Sequence, residues 1–206
     1  MHRSVYKNGG GEDVTVAKLL RQAKWVSAVS QIILDDAIKA FPEIQSHSSV
    51  IYNGLSMPEI SPTKLPFDPP VILCMGRMIP EKGFDLAIRA FSQIHDEFPT
   101  ARLVLAGDGG LRSEMETLVE DLGISDKTDF RGWVDPQSIP DLLNEASSDL
   151  IPSRWREPFP LVALETRQMA RPVIATRAGG LPESILDKET GYLFEMENVD
   201  QMADRL

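Results

Sequence analysis

The chain has 206 residues, of which 42% are hydrophobic and 25% charged, and its formal net charge is -10. This length can bury one large core, or one core and part of a second, and the composition is ordinary for a soluble globular protein. The negative charge argues against general electrostatic capture of nucleic acid or of anionic lipid.

Cysteine and histidine usage bears on compartment and on metal binding. The single cysteine, Cys74, lies in the apolar run VILCM, so we expect it in the core of a protein from a reducing, cytoplasmic compartment. The histidines at 2, 47 and 95 are scattered, and no Cys/His/Asp cluster has metal-ligand spacing, which predicts no protein-held metal. The first residues lack the apolar core of a signal peptide, and no run approaches the roughly 20 residues of a membrane span.

Strand-like and helix-like stretches alternate from residue 25 onward. WVSAVS (25–30) predicts a strand, Ser30 can cap a helix over 31–41, and SSVIYN (48–53) predicts a second strand. Next comes a stretch with five prolines between 58 and 70 and almost no periodicity, which we interpret as a linker.

After the linker the alternation becomes regular and indicates the fold class. Strands are predicted at 71–76, 101–107, 128–134, 148–153 and 171–176. Amphipathic helices are predicted at 84–98, 111–122, 137–146 and 160–170. The first of these helices has an apolar stripe that runs to Phe98. This order predicts an α/β fold with a mainly parallel sheet covered by helices on both faces, and ligands bind such sheets at the carboxyl ends of the strands.

Two cations follow the first of these strand ends. In GRMIPEKG (76–83), Gly76 permits a tight turn, and Arg77 and Lys82 could hold a phosphate or diphosphate through a guanidinium fork and a point charge. Alternatively, both are solvated surface charges and Glu81 pairs with one of them.

Two glycine-rich loops follow later strands. GDGGLR (107–112) fails the dinucleotide fingerprint G-x-G-x-x-G because Arg112 stands at the third glycine, which disfavours an NAD-dependent enzyme. Its glycines permit a tight turn or a close approach of the backbone to a ligand. In TRAGGLPES (176–184), Gly179 and Gly180 give a backbone-lined turn whose role is either structural or functional.

The stretch EPFPLVALE (157–165) suggests an anion site at a helix start. Glu157 precedes a proline and therefore belongs to the loop, and Pro160 suits the first helical turn. The N–H groups of Leu161 and Val162 are then free to bind an anion, aided by the helix dipole.

Glu165 shares its helix face with aliphatic residues, where an unpaired carboxylate is costly. Glu157 and Glu165 are about 12 Å apart along a helix, too far for the close pair of a retaining glycosidase. We therefore expect the two acids to contact different parts of one elongated ligand with phosphate between them. The alternative is that Glu165 pairs with an arginine in the core.

These motifs together resemble a known family. G-R-x3-E-K-G, E-x7-E, RPVIATRAGGLPE and TGYLF, taken in order over residues 70–206, resemble the retaining glycosyltransferases of family 4, which have the GT-B fold of two Rossmann-like domains. The resemblance implies that 63–206 is a Rossmann-like, three-layer α/β/α domain that binds a nucleotide sugar and is truncated at its C-terminal end. It implies that 1–62 is a remnant of the acceptor-side domain with the linker. Because the chain is about half the usual length, we expect the isolated fragment to be inactive.

The resemblance also implies roles for individual residues. Arg77 and Lys82 match the pair that holds the donor diphosphate, and the amides of Leu161 and Val162 match those that receive its distal phosphate. Glu157 matches the catalytic-site acid that binds hydroxyls of the donor sugar. The other donor-site residues that it implies are Glu165 on the ribose, Gly76, Phe159, Pro160, and Trp133 and Val134 with Asp135 near the base.

The implied activity is transfer of a sugar from a UDP-, GDP- or ADP-sugar to a sugar or lipid acceptor, with retention and without metal or cofactor. Contact with a membrane surface would come through the missing domain. Two rival functions are a sugar-nucleotide epimerase of the same fold and a non-catalytic nucleotide-sugar-binding module.

Overall fold

The computed structural model describes residues 14–206, and the chain divides into two units, the first ending at Tyr52 and the second covering Asn53–Leu206. The predictions about the first 13 residues, including the predicted absence of a signal peptide, concern residues that lie outside the described part of the chain. The division at residues 62 and 63, and the assignment of 1–62 to an acceptor-side domain, stay predictions.

The smaller unit has one parallel strand pair packed with short helices. Its elements are α1 (Val14–Gln22), β1 (Val26–Ala28), α2 (Gln31–Ala40), a 3-10 helix (Pro42–His47) and β2 (Ser48–Val50). The two strands pair in parallel, and Ala17, Phe41 and Ile44 form the buried core. Ser30 occupies the N-cap position of α2, but its buried hydroxyl makes no capping hydrogen bond, so the predicted side-chain cap is wrong.

The larger unit contains a six-stranded sheet in the order β5-β4-β3-β6-β7-β8, in which every neighbouring pair is parallel. The strands are β3 (Val71–Met75), β4 (Arg102–Ala106), β5 (Thr128–Gly132), β6 (Ser148–Ile151), β7 (Val173–Thr176) and β8 (Gly191–Phe194). Strands buried on both faces read as continuous apolar runs, and this pattern is why β3, β4 and β7 could be predicted.

Helices cover both faces of this sheet. They are α3 (Phe84–Ile94), α4 (Arg112–Asp121), α5 (Ile139–Glu145), α6 (Leu161–Gln168), α7 (Leu181–Ser184) and α8 (Val199–Ala203). One core contains Phe91 of α3 with Met202 of α8, and on the opposite face Leu143 of α5 packs with Met169. The predicted α/β class and Rossmann-like three-layer arrangement are confirmed.

The predicted end of α3 is wrong, whereas the predicted burial of Cys74 is confirmed. Helix α3 ends at Ile94, before Pro99, so Phe98 is half exposed rather than part of the buried stripe, and that prediction is wrong. Cys74 is buried in the core as expected, and burial raises the pKa of its thiol well above the ordinary value.

The proline-rich stretch before β3 has no helix and is hydrogen-bonded to Gln168 and Arg171 within the larger unit. The buried Arg171 donates to the Thr63 carbonyl at 3.0 Å and to the Thr63 hydroxyl at 2.9 Å. The Gln168 side chain donates to the Ser56 carbonyl at 3.1 Å. The predicted linker is therefore held against α6 and the start of β7.

Candidate functional site

A cavity of about 200 Å³ opens at the carboxyl edge of the sheet, between the ends of β3 and β6 and the start of α6. Six residues predicted for the site line it, namely Gly76, Lys82, Glu157, Pro160, Leu161 and Val162. The remaining lining residues are Cys74, Met75, Leu150, Ile151 and Pro152. The structure thus brings together residues from two loops that are about 75 positions apart in the sequence.

Lys82 and Glu157 form an ion pair in this cavity. The Lys82 ammonium donates to Glu157 Oε1 at 2.5 Å, and the Glu157 side chain is 9% exposed against 31% for Lys82. The alternative in which Glu81 pairs with a loop cation does not hold for Lys82, whose partner is Glu157. A buried carboxylate needs such a partner, because an unpaired charge is costly away from water.

The Gly179–Gly180 turn holds the backbone of Glu157. The Gly180 N–H donates to the Glu157 carbonyl at 2.7 Å. Gly179 has φ +56°, and a Cβ at this position would lie 2.2 Å from the same carbonyl oxygen. No other residue fits this conformation and this space without a shift of the loop. The glycine pair after β7 therefore has a structural role at the site.

The glycines after β4 pack against the loop after β3. A Cβ at Gly107 would lie 1.7 Å from the Gly76 carbonyl oxygen, and one at Gly109 would lie 2.4 Å from that of Met78. The Met78 N–H donates to the Asp108 carbonyl at 2.9 Å. These glycines thus allow close approach of the chain to itself, and they support the loop that carries Lys82.

Helix α6 begins at Leu161, one residue later than predicted, so Pro160 occupies the N-cap position and not the first helical turn. The N–H groups of Leu161 and Val162 have no acceptor among residues 14–206. Unbonded amides at a helix start, next to Lys82, form a local positive site in a chain of net negative charge. The Asn53 side chain donates to the Phe159 carbonyl at 3.3 Å, just before this helix start.

Glu165 is half-buried one turn into α6, and burial raises the pKa of its carboxyl. Within the described residues it forms no ion pair, so the structure does not place the core arginine that was considered as a partner. The nearby Arg167 bonds to the Ser184 carbonyl instead. The half-exposed carboxylate of Glu165 therefore has no ion-pair partner in the described part of the chain, and a ligand hydroxyl could donate to it.

Asp149 of β6 is a buried acid that sequence analysis missed. It is 0% exposed, its Oδ2 accepts a hydrogen bond from the Thr166 hydroxyl at 2.8 Å, and its Oδ1 has no partner among the described residues. Burial raises the pKa of Asp149 to about 7, against the lowering effect of Thr166 and with a smaller raising effect of Glu165. An aspartate inside the apolar run SDLI was the signal that could have identified it.

Several predicted site residues do not line the cavity. Arg77 is exposed and forms no ion pair in the part of the chain that the structure describes. Trp133 is 71% exposed, Val134 packs against a core cluster, and Phe159 is buried. Asp135 accepts from the Gln137 N–H at 2.9 Å and caps a 3-10 turn.

Residues 14–206 contain neither a cluster of metal ligands nor a membrane-spanning helix. No group of three or more His, Cys, Asp or Glu side chains there is placed to hold a metal ion. None of the helices in that part of the chain is long and apolar enough to cross a membrane.

Comparison with known proteins gives consistent matches. A family model described as "Glycosyl transferases group 1" matches residues 58–206. An uncharacterized glycosyltransferase of Methanocaldococcus jannaschii is 32% identical over 191 residues, which cover 86% of this chain and 48% of that protein. A GDP-mannose-dependent phosphatidylinositol monomannoside mannosyltransferase of Mycolicibacterium smegmatis is 31% identical over 144 residues, 66% of this chain and 37% of that protein. The chain therefore spans less than half the length of these relatives.

Solved structures show the same fold. Anabaena HepE in complex with UDP matches with a TM-score of 0.80 and 27% identity, covering 93% of this chain and 55% of that one. Staphylococcus aureus TarM matches with a TM-score of 0.82 over 94% of this chain and 38% of that one, and at 19% identity it supports the fold alone.

Proposed function

This chain belongs to the family of group 1 glycosyl transferases, and we propose that it forms the donor-binding part of a retaining hexosyltransferase of family 4. The reaction would break the bond between the anomeric carbon of a nucleoside-diphosphate sugar and the diphosphate oxygen. It would form a bond from that carbon to an acceptor hydroxyl on the same face. The nucleoside diphosphate would leave with the bonding electrons, and the acceptor proton would be released.

The observation that carries this proposal is the convergence of Lys82, Glu157 and the free amides of Leu161 and Val162 on one cavity. A cation and a helix start favour phosphate, whereas a carboxylate favours sugar hydroxyls. At about 200 Å³ the cavity is smaller than the roughly 300–1,000 Å³ of typical ligand sites. It would therefore hold the phosphate and sugar part of the donor, with the base outside.

Stabilisation of the leaving diphosphate would come from Lys82, Arg77 and the α6 amides. Negative charge on that group grows as the glycosidic bond breaks, so preorganised donors stabilise the transition state more than the bound substrate. Arg77 is exposed and unpaired within the described residues, so it is free to turn toward a ligand phosphate. These groups supply the positive charge that a metal ion would otherwise provide, which is why we propose a metal-independent reaction.

Glu157 would accept hydrogen bonds from the donor sugar, and Glu165 from the ribose. In the absence of ligand Lys82 neutralises Glu157 at 2.5 Å, so a donor phosphate would compete for the same ammonium. We propose a UDP-, GDP- or ADP-sugar as donor, a sugar or lipid as acceptor, no cofactor and a cytoplasmic location. HepE has been solved with UDP-glucose, which supports a nucleotide-sugar donor.

The isolated chain would bind donor without transferring sugar, because the acceptor side of such enzymes lies in the other domain. In that limited sense the alternative of a non-catalytic binding module applies to the chain by itself. A sugar-nucleotide epimerase is not favoured, because the relatives named above are glycosyltransferases.

A thermal-shift screen with UDP-, GDP- and ADP-sugars tests the proposal. The wild-type chain should be stabilised by one of these classes, and the double variant Arg77→Ala/Lys82→Ala should lose that stabilisation while melting near the wild-type temperature without ligand. Arg102→Ala/Lys127→Ala is the matched control, because Arg102 begins β4 and Lys127 precedes β5 at the opposite edge of the sheet. Equal ligand stabilisation in both double variants would reject the assignment.

A further inference from the structure

One arginine, which the proposed reaction does not use, joins the two loops that carry Lys82 and Glu157. Arg154 follows β6, and its backbone N–H donates to the Glu81 carbonyl at 2.8 Å. Its Nη1 also donates to the Pro80 carbonyl at 3.2 Å. Backbone and side chain of one residue thus hold the short turn that ends at Lys82.

The guanidinium also holds the chain just after Lys82. Arg154 Nη1 and Nη2 donate to the two carboxylate oxygens of Asp85, both at 2.7 Å, and Nε donates to Glu197 at 2.9 Å. Burial has the largest single effect on the pKa of Asp85 and raises it, but the hydrogen bonds and charge of Arg154, together with a backbone hydrogen bond and Arg89, keep that pKa below its ordinary value. A paired fork of this kind fixes orientation as well as charge. Arg154 therefore holds the chain at Pro80, before Lys82, and at Asp85, after it.

Ser153, the residue before Arg154, contacts the Glu157 carboxylate. Ser153 is buried, and its hydroxyl lies 3.0 Å from Glu157 Oε1 and 3.0 Å from the Glu81 carbonyl oxygen. The hydroxyl has a single proton, so it donates to one of these acceptors at a time. At Gly83 the two loops touch directly, since a Cβ there would lie 2.1 Å from the Pro152 carbonyl oxygen.

We propose that Arg154 is a positioning residue, which sets the separation between the Lys82 ammonium and the Glu157 carboxylate by locking one loop to the other. Its effect on transfer rests on the proposed function, whereas its effect on the ion pair does not. Arg154 touches neither group itself; it acts through Pro80, Glu81 and Asp85.

Zero-length carbodiimide crosslinking provides a direct measure of this separation. The reagent couples a lysine amine to a carboxylate in contact with it, and peptide mass spectrometry quantifies the Lys82–Glu157 amide. Arg154→Lys keeps the charge but lacks the planar fork, so the loops should shift and the crosslink yield should fall by about tenfold. A misplacement of reacting groups by about 1 Å can slow a reaction by about 100-fold, so a shift of less than about 1 Å is enough for this loss. In a transfer assay of a longer protein that contains this chain, kcat should fall more than KM changes.

Arg131→Lys is the matched control, because Arg131 also bridges two carboxylates, those of Asp129 at 2.5 Å and Glu145 at 3.0 Å, but on the edge strand β5. It should keep the wild-type crosslink yield. If Arg154→Lys unfolds the chain, Asp85→Asn removes the charge on the acceptor of the same fork and should give the same loss below its melting temperature.

The outcomes separate this proposal from the proposed function. A wild-type crosslink yield in folded Arg154→Lys and Asp85→Asn overturns the positioning role, whether or not donors bind. A reduced yield in both variants, in a chain that binds none of the three nucleotide-sugar classes, keeps the positioning role and removes the proposed function.

Discussion

Asp149 should make the stability of the larger unit fall as pH rises from 5 to 8. The carboxyl is fully buried and its pKa is raised to about 7, whereas in the unfolded chain it returns to about 3.9. Between these values the native state holds a proton that the unfolded state has released. The stabilising proton is therefore fully bound at low pH and is lost as pH rises through 7.

The magnitude follows from the two pKa values. Linkage gives a loss of about 3 kcal/mol in the free energy of unfolding between pH 5 and pH 8 from this group alone. Asp149→Asn abolishes the titration and keeps the shape. The substitution also lowers stability at every pH, because Thr166 then has a less suitable hydrogen-bond partner. This loss does not depend on pH, so it does not affect the slope of stability against pH.

Urea unfolding of wild type and Asp149→Asn at several pH values between 5 and 8 measures this slope. The variant should lose about 3 kcal/mol less than wild type over this range, because its asparagine side chain binds no proton. Asp187→Asn is the control: hydrogen bonds from the Leu193 amide and from Arg177 lower the pKa of Asp187, so its contribution is lost only as pH falls. Parallel pH slopes for wild type and Asp149→Asn would refute the reasoning.

Two further predictions concern the acids of the proposed donor site. Glu165→Gln should weaken nucleotide binding by about 1.5–3 kcal/mol, the range for a charged hydrogen bond, in isothermal titration of the donor class found by thermal shift. A sharp loss of stability with unchanged affinity would instead mean that Glu165 has a purely structural role. Glu157→Ala, in a longer protein that contains this chain, should reduce sugar transfer far more than affinity for the free nucleoside diphosphate. The same change in the 206-residue chain should have no effect on transfer, and robust transfer by the unaltered 206-residue chain would contradict our placement of the acceptor site outside it.

The strands and most helices of the larger unit could be predicted because their signals are local. A buried parallel strand such as VILCM has to be apolar throughout, and α3 places Phe84, Ala87, Ile88 and Phe91 on one stripe. The missed elements α7, β8 and α8 have four or five residues each, too few to show a period. Phe98 was misplaced because the apolar period continues past the point at which the helix ends.

The candidate site was predictable only in part, because its contacts join distant parts of the sequence. That GRMIPEKG and EPFPLVALE end at one sheet edge follows from the parallel fold. The direct pairing of Lys82 with Glu157 depends instead on loop conformation, which no period encodes. Arg154 was missed for the same reason, because an arginine in a loop gives no sign of which carbonyl or carboxylate it will reach.

Alanine at Gly179 tests whether the turn after β7 holds Glu157 in place, and alanine at Gly123 measures the cost of the left-handed backbone alone. Gly179 has φ +56° and no room for a Cβ, whereas Gly123 has φ +68° and nothing within 4 Å of the corresponding position. Gly123→Ala should therefore show the conformational cost alone, about 1–2 kcal/mol in the free energy of unfolding. Gly179→Ala adds a clash with the Glu157 carbonyl, so it should be more destabilising.

Gly179→Ala should also displace Glu157 and lower the Lys82–Glu157 crosslink yield, which Gly123→Ala should leave at the wild-type value. Gly110→Ala, at ordinary φ and with open space around the Cβ, should change neither quantity. Because Gly123 and Gly179 share the left-handed backbone, any excess effect at Gly179 comes from its contact with Glu157. Equal destabilisation by the two variants, with an unchanged crosslink in both, would show that the turn after β7 does not hold Glu157 in place.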